Sequence, residues 1–245
     1  MTARRLPILA FPVLHSLVGI CVLRFSRSAF RAPRSAFVCS AFRVCSFLGI
    51  ALALPAEGVN PRANEPLVDV AKACPGVRIE LRYATRNNVT GHPIYPPNAR
   101  CLVRLSVAAR LRHAQRLLRE HGAALKIWDA YRPASAQRFL WQFAGNREFV
   151  GDPARGGSLH TWGVAVDATL VTRLGADLRM PTGFDDFSPA AARNYVGKDP
   201  AVARHLGLLQ TAMTRAGFKV MRDEWWHFVA EDYLDFAAVE VPLAP

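Results

Sequence analysis

Two stretches of the chain gather side chains that can do chemistry together. Gly157-Ser158-Leu159-His160-Thr161-Trp162-Gly163-Val164-Ala165-Val166-Asp167 supplies an imidazole and a carboxylate in a His-x6-Asp spacing. Glu224-Trp225-Trp226-His227 supplies a carboxylate and an imidazole in a Glu-x-x-His spacing. Two His and one Asp are a usual ligand set for a catalytic zinc ion, which keeps its fourth position open for water. The remaining Glu is then free to serve as the base that such a water requires. The expectation is one Zn2+ per chain, held by His160, Asp167 and His227, with Glu224 as general base. Trp225 and Trp226 beside Glu224 would desolvate it and raise its pKa toward a useful range. For a lone histidine, a role as a hydrogen-bonded core residue would be the better reading; for these two spaced pairs together it is not.

Arg132, in Trp128-Asp129-Ala130-Tyr131-Arg132-Pro133, is the next chemical group. A fixed cation near the metal would stabilise the oxyanion of a tetrahedral intermediate. The plainer role is a structural pair with Asp129 or a helix end, and the residues alone leave both open. His113, His121 and His205 fall on expected helices and His92 in a polar loop, so none of them stands out. No HExxH, G-x-S-x-G, Walker or GxGxxG pattern occurs, so serine-hydrolase and nucleotide-binding functions lack support.

The elements that must position these groups follow from periodicity and turn chemistry. Val77 to Tyr83 alternates apolar and polar, which predicts a half-buried strand. Thr85 to Pro97 is rich in Asn, Gly and Pro and predicts loop. Val103 to His121 carries apolar residues at helical spacing, with Gly122 suited to follow its end. Ala124 to Trp128 predicts a second strand, and Ser135 can cap a short helix through Ala144. Gly163 permits a sharp turn after His160. Val164 to Asp167 then predicts a strand with Asp167 and Ala165 on one face and Val164 and Val166 toward the core. Asp199-Pro200 opens a helix that runs to Gly217. Phe218 to Met221 and Trp225 to Val229 predict two strands around a tight turn. Strands and helices interleave without a regular βαβ rhythm, so the expected class is α+β. The expected architecture is a single catalytic domain, with a central, mostly antiparallel sheet flanked by helices and the zinc site at the sheet.

The 245 residues are 51% hydrophobic and 20% charged, enough for a sizeable core. The formal charge of +12 is unevenly spread. Residues 1–58 hold seven Arg and one acid, and the remaining body is only moderately basic, which excludes a nucleic-acid-type polycation. That body charge is either a solvated surface or an attraction toward an anionic polymer or a carboxylate-bearing substrate.

Near the N-terminus, Arg4 and Arg5 precede an uncharged run from Leu6 to Leu23, and Arg43 precedes a second apolar run ending Ala51-Leu52-Ala53. The second resembles a secretory signal with an A-x-A cleavage site. Residues 1–58 are therefore expected to be a targeting segment, a signal peptide or an anchor, with an over-extended start as one explanation of the tandem runs. Residues 59–245 are the expected catalytic domain. The expected location is the periplasm or cell envelope, with membrane contact only through an uncleaved N-terminal segment; without a true signal it is the cytoplasm. Cys74 and Cys101 are the two thiols of the body, able to form one disulfide after export or to stay free in a cytosolic protein.

Ser158-x-His160-x6-Asp167 and Glu224-x-Trp226-His227 resemble the zinc D-alanyl-D-alanine dipeptidases of the vancomycin-resistance type, within a D,D-peptidase family that also contains D,D-carboxypeptidases. Leu81-Arg82-Tyr83-Ala84-Thr85, Asn88-Val89-Thr90-Gly91 and the Trp128–Pro133 segment extend the resemblance over about residues 66–236. It implies that His160, Asp167 and His227 bind zinc, that Glu224 is the base, and that Arg132 holds the oxyanion. It further implies that Ser158 contacts the substrate carboxylate, that Tyr83 lines the pocket, and that Asp185 meets the free amino group. The implied partner is a small D,D-dipeptide or a peptidoglycan fragment, and no nucleic acid. The competing functions are a D,D-carboxypeptidase or endopeptidase on longer stems, which would need an open cleft, and a non-catalytic zinc-binding module for wall peptides. Glu224 argues against the last, because a pure binding site has no need of a base.

Overall fold

Seven consecutive residues, Ala123–Asp129, are all buried and form one strand of the main sheet. The computed structural model describes residues 62–143 and 149–245, so the expected targeting segment lies outside the described residues. In chain order the elements are β1 (Leu67–Asp69), α1 (Val70–Ala73), β2 (Arg78–Ile79), β3 (Leu102–Arg104), α2 (Leu105–Glu120) and β4 (Ala123–Asp129). They continue with α3 (Ala134–Phe143), β5 (Ala165–Thr172), α4 (Pro200–Arg215), β6 (Phe218–Val220) and β7 (His227–Ala230). The class is α+β. β1 and β3 form a small antiparallel pair, and the main sheet has the order β2-β4-β5-β7-β6. Among the described residues no helix is long and apolar enough to cross a membrane.

The main sheet is mixed, which corrects the expectation of a mostly antiparallel one. β4–β5, β5–β7 and β7–β6 pair antiparallel, but β2 runs parallel to β4. The chain returns from β2 to β4 through a crossover that contains α2, and a crossover of that kind lays the second strand parallel to the first. α2 packs on β4 and α4, and α4 packs on β5 and β6, so both helices cover the sheet. Their buried stripes are Val107, Leu111, Ala114 and Leu118 on α2, and Val202, Leu206, Leu209 and Met213 on α4. Truncating a fully buried leucine here, as in Leu111→Ala, would cost about 2–5 kcal/mol.

Helix ends are closed as the sequence predicts in one case and differently in another. Asp199 caps α4, its carboxylate accepting from the Ala201 amide at 2.8 Å, with Pro200 in the first turn. α2 begins after Arg104, and the carboxylate of Glu65, far back in the chain, accepts from the Ser106 amide. Val103 and Arg104, expected as the start of this helix, instead pair with β1 as part of β3. Arg104 is buried and spends its guanidinium on the carbonyl oxygens of Trp162 at 2.8 Å, Ala237 at 2.7 Å and Glu65.

Four further expectations are revised. The strand expected over 77–83 is only Arg78–Ile79, because Arg82–Ala84 turn into a 3-10 helix that buries Tyr83. Ser135 lies inside α3, which starts at Ala134 directly after Pro133. β5 is buried along seven of its eight residues, so both its faces are covered, not one. The expected strand at Trp225 begins only at His227, since Trp225 and Trp226 are drawn into the core and pack edge-on at 5.4 Å.

One irregularity in the sheet bears directly on the chemistry. Ile127 faces Ala168, but Asp129 faces Asp167, so β4 spends two residues where β5 spends one. Such a bulge re-aims the side chains that follow it. Asp167 in turn faces His227 on β7. Asp129, Asp167 and His227 therefore form a row across three neighbouring strands at one end of the sheet.

Candidate metal centre and active site

His160 enters this row from outside the sheet. Ser158 caps the 3-10 turn Leu159–Trp162, accepting from the His160 amide, and Gly163 ends it at φ 72°. A Cβ on Gly163 would stand 2.5 Å from Leu67 Cδ2, so both the backbone angle and the space favour glycine there. The turn carries His160 over Asp167 and His227. The Nδ1 of His160 sits 2.6 Å from the Ala130 carbonyl oxygen. That oxygen can only accept, so Nδ1 carries the proton and Nε2 presents a lone pair toward the sheet.

Three ligand atoms then converge. His160 Nε2 is 3.2 Å from His227 Nδ1 and 3.4 Å from Asp167 Oδ1, and His227 Nδ1 is 2.9 Å from Asp167 Oδ1. Ligands about 2.0–2.1 Å from a tetrahedral centre lie about 3.3 Å apart, so this triangle fits a small divalent ion. Among the described residues these three side chains are the group that could hold a metal ion. Burial pushes the Asp167 carboxyl up, but charge and hydrogen bonds from His160 and His227 outweigh it and hold it below the ordinary carboxylate range.

Glu224 stands beside this triangle, its Oε2 3.9 Å from His227 Nδ1. It is not one of the three ligands. Burial raises its pKa to about 8; His227 opposes that shift and the Asp167 and Asp185 carboxylates add to it. Trp226 lines the same cavity, and Trp225 packs in the core behind it.

Arg132 makes the structural pair with Asp129 and also lies beside Asp167. Its Nε and Nη2 donate to Asp129 Oδ2 at 3.0 and 2.7 Å, and its Nη1 donates to Gln137 Oε1 at 2.7 Å. The same Nη2 lies 4.0 Å from Asp167 Oδ2, and the guanidinium carbon sits 4.8 Å over the Tyr83 ring. The pair with Asp129 thus holds a permanent cation at the edge of the metal triangle.

Tyr83 donates its hydroxyl to Asp185 Oδ1 at 3.1 Å, and the Val89 amide donates to Asp185 Oδ2 at 2.9 Å. Asp185 is the non-glycine residue with positive φ, 57°, a conformation that costs energy and turns its side chain inward. Burial lifts its pKa to about 7. Asp186, its neighbour, faces away and accepts from the Ser188 amide at 3.1 Å. All eight side chains singled out in the sequence line one small cavity of about 30 Å³.

The sequence did not single out several parts of this site. Asp129 is wholly buried and accepts from Tyr95 Oη at 2.7 Å as well as from Arg132, with His160 Nδ1 3.5 Å from its Oδ2. Its place in the Trp128–Pro133 segment was the available signal. Phe184 packs between Tyr83, Trp128 and Trp226, with ring centroids 5.4 to 5.9 Å apart. Phe149 and Phe187 stack at 5.0 Å across the cavity wall. No spacing in the sequence marks these rings, because they meet from separate loops. Cys74 and Cys101 are both free and buried.

Comparison with known proteins identifies the family. A family model described as D-Ala-D-Ala dipeptidase matches residues 63–241. A D-alanyl-D-alanine dipeptidase of Escherichia coli (strain K12) is 39% identical over 162 residues, covering 66% of this chain and 83% of that protein. D-alanyl-D-alanine dipeptidases of Enterococcus faecalis and Enterococcus faecium are each 30% identical, over 90% and 92% of their lengths and 65% and 66% of this chain. The chain belongs to this D-Ala-D-Ala dipeptidase family of metallopeptidases.

Proposed function

We propose that this family member hydrolyses the dipeptide D-Ala-D-Ala with a zinc ion held by His160 Nε2, Asp167 Oδ1 and His227 Nδ1. The observation that carries the reading is the near-tetrahedral triangle of two imidazole nitrogens and a carboxylate oxygen, with Glu224 alongside and outside it. Bound there, the ion would polarise the scissile carbonyl, acidify a water and draw the Glu224 carboxyl back toward its ionised form. Glu224 takes a proton as the peptide carbonyl is attacked and returns it to the leaving amine. Arg132, locked by Asp129 and Gln137, faces the developing oxyanion with a charge that needs no reorganisation.

The two ends of the substrate meet opposite chemistry. Asp185, steadied by Tyr83 and the Val89 amide, suits a free ammonium group. Ser158, at the head of the His160 turn, suits the terminal carboxylate. The stacked rings of Phe149 and Phe187 narrow the cavity on one side, which favours a short substrate with both termini recognised. A stem-peptide carboxypeptidase or endopeptidase would need an open cleft in its place. Residues 59–245 are the proposed catalytic domain, and residues 1–58 a targeting segment that exports it to the periplasm or envelope; the basic residues and the Ala51-Leu52-Ala53 site support that assignment.

The test is metal content together with D-alanine release from D-Ala-D-Ala and from a pentapeptide ending in D-Ala-D-Ala. Near-stoichiometric zinc and a strong preference for the free dipeptide are expected. A preparation that turns over only the pentapeptide would replace the dipeptidase reading with the carboxypeptidase one.

A further inference from the structure

At the end of the sheet opposite the metal triangle lies a cleft of about 530 Å³ lined by Arg78, Arg119, Arg173 and Gln115 and containing no acidic side chain. The three arginines come from β2, the last turn of α2 and the residue after β5. Ala123, at the cleft, pairs with Thr172, whereas Asp129 at the other end of β4 pairs with Asp167. Six residues of strand separate the two, about 20 Å.

Nearby carboxylates are spent elsewhere. Glu80 and Asp177 hold Lys126 at 2.6 and 2.5 Å, and Asp232 holds Arg110. Among the described residues no ion pair engages Arg78, Arg119 or Arg173.

Gln115 gives the cleft a fixed donor. The residue is 4% exposed, and its Oε1 accepts from the Leu125 amide at 2.8 Å. That bond settles which end of the amide is oxygen and leaves Nε2 without a hydrogen-bond partner among the described residues. Gln115 lines the cleft, so this amide can donate into it. Gln115 Nε2 and Arg119 Nη2 lie 3.7 and 3.4 Å from the point where a Cβ on Gly76 would stand. Two donors therefore converge on one spot that glycine keeps open. The C-terminal end of α2 contributes roughly half a negative charge, far less than three guanidiniums. One of its carbonyls is already used: Arg119 O accepts from Arg173 Nη2 at 2.5 Å.

We propose that this cleft is an anion-binding exosite, separate from the catalytic centre, that takes a phosphate-type oxyanion. Guanidinium forks match such oxyanions in geometry as well as in charge. A free phosphate and the phosphate head of an anionic lipid share this chemistry.

The experiment uses the full chain at low salt and about pH 8, where phosphate is close to doubly charged. Inorganic phosphate is titrated calorimetrically into the wild type, Arg78→Gln/Arg119→Gln and Gly76→Asp. The double variant removes two cations whose side chains make no hydrogen bond or ion pair with the fold among the described residues. Gly76→Asp keeps every arginine but sets a carboxylate on the convergence point, and Asp is among the residues that tolerate the left-handed backbone. Both variants are expected to bind phosphate at least about tenfold more weakly. Hydrolysis of D-Ala-D-Ala should change by less than about twofold, because the sites are far apart. Equal phosphate affinity in all three proteins, or no saturable binding by the wild type, would overturn the exosite.

Sedimentation with phosphatidylglycerol-containing vesicles, against phosphatidylcholine alone, identifies the source. A drop for the double variant on anionic vesicles assigns the site to a lipid head. Unchanged sedimentation beside lost phosphate binding assigns it to a free anion.

Discussion

Arg132–Asp129 and Arg110–Asp232 are the same pair of residue types in two surroundings. Arg132 and Asp129 are 5% and 0% exposed, and Tyr95, Gln137 and His160 occupy the positions around them. Asp232 keeps 22% of its side chain in solvent while it accepts from Arg110 at 2.6 and 2.8 Å and from Arg62. The first pair fixes a cation 4.0 Å from the Asp167 carboxylate. The second fastens the start of the described chain and α2 to the turn after β7. Removing one partner of a buried pair strands a charge away from water, at about 3–5 kcal/mol. An exposed pair contributes about 0–1 kcal/mol. Burial, more than the identity of the pair, separates a piece of machinery from a fastening.

The largest effect belongs to the acid that the buried cluster surrounds. Glu224→Gln should lower kcat for D-Ala-D-Ala by at least about two orders of magnitude while metal content stays at the wild-type level. Unimpaired turnover would take Glu224 out of the chemistry and leave the buried end of the sheet as structure only.

Next come the members of the pair itself. Arg132→Ala should reduce kcat by about 100- to 1000-fold, the range for removal of one oxyanion donor. Asp129→Ala should cost about 3–5 kcal/mol in denaturant unfolding, because it leaves Arg132 charged and buried. A loss below about 1 kcal/mol would make the buried pair no different from the exposed one and would break the contrast.

The third effect is a pH dependence of substrate binding. Burial raises the Asp185 carboxyl to about 7, so it is charged above that pH and neutral below it. A charged Asp185 attracts the substrate ammonium, so KM should rise about tenfold for each unit that the pH falls below about 7. Asp185→Asn should have a raised KM that no longer varies across that interval; a profile of unchanged shape would assign the dependence to another group.

How much of this was legible in the sequence differs between the two regions. The metal triangle was legible because His160, Asp167, Glu224 and His227 sit at short spacings within two segments, and each spacing limits what the groups can reach. α2 and α4 were legible because Asp199-Pro200 and the leucine rows speak through local chemistry. The β4 bulge that aligns Asp129 with Asp167 was not, since it is a register between residues 38 apart in sequence. Nor was the fastening at Asp232, whose partners Arg62 and Arg110 lie 170 and 122 residues away. The parallel β2 was missed for a related reason: Val77 to Tyr83 alternates like one strand, but burial of Tyr83 beside Asp185 pulls its second half into a 3-10 turn. Local patterns spoke for groups held by their own segment, and long-range pairs left no mark.

The smallest effect tests the Arg110–Asp232 pair, which is partly exposed, and carries a definite sign. Hydrogen bonds from Arg110, with burial opposing and the charges of Arg110 and Arg62 adding, hold the Asp232 carboxyl down at about 2. Its unfolded value is about 3.9. A depressed carboxyl contributes stability that is complete above the unfolded pKa and is lost as pH falls through the folded one. The gap between wild type and Asp232→Asn in urea unfolding should therefore be about 0–1 kcal/mol near pH 6, after solvent screening, and should close between about pH 4 and pH 2. Dipeptide turnover should not change. A gap that stayed constant with pH would show that Asp232 acts through packing alone. A gap of about 3 kcal/mol or more would place this pair with the buried one, and exposure would no longer be what distinguishes them.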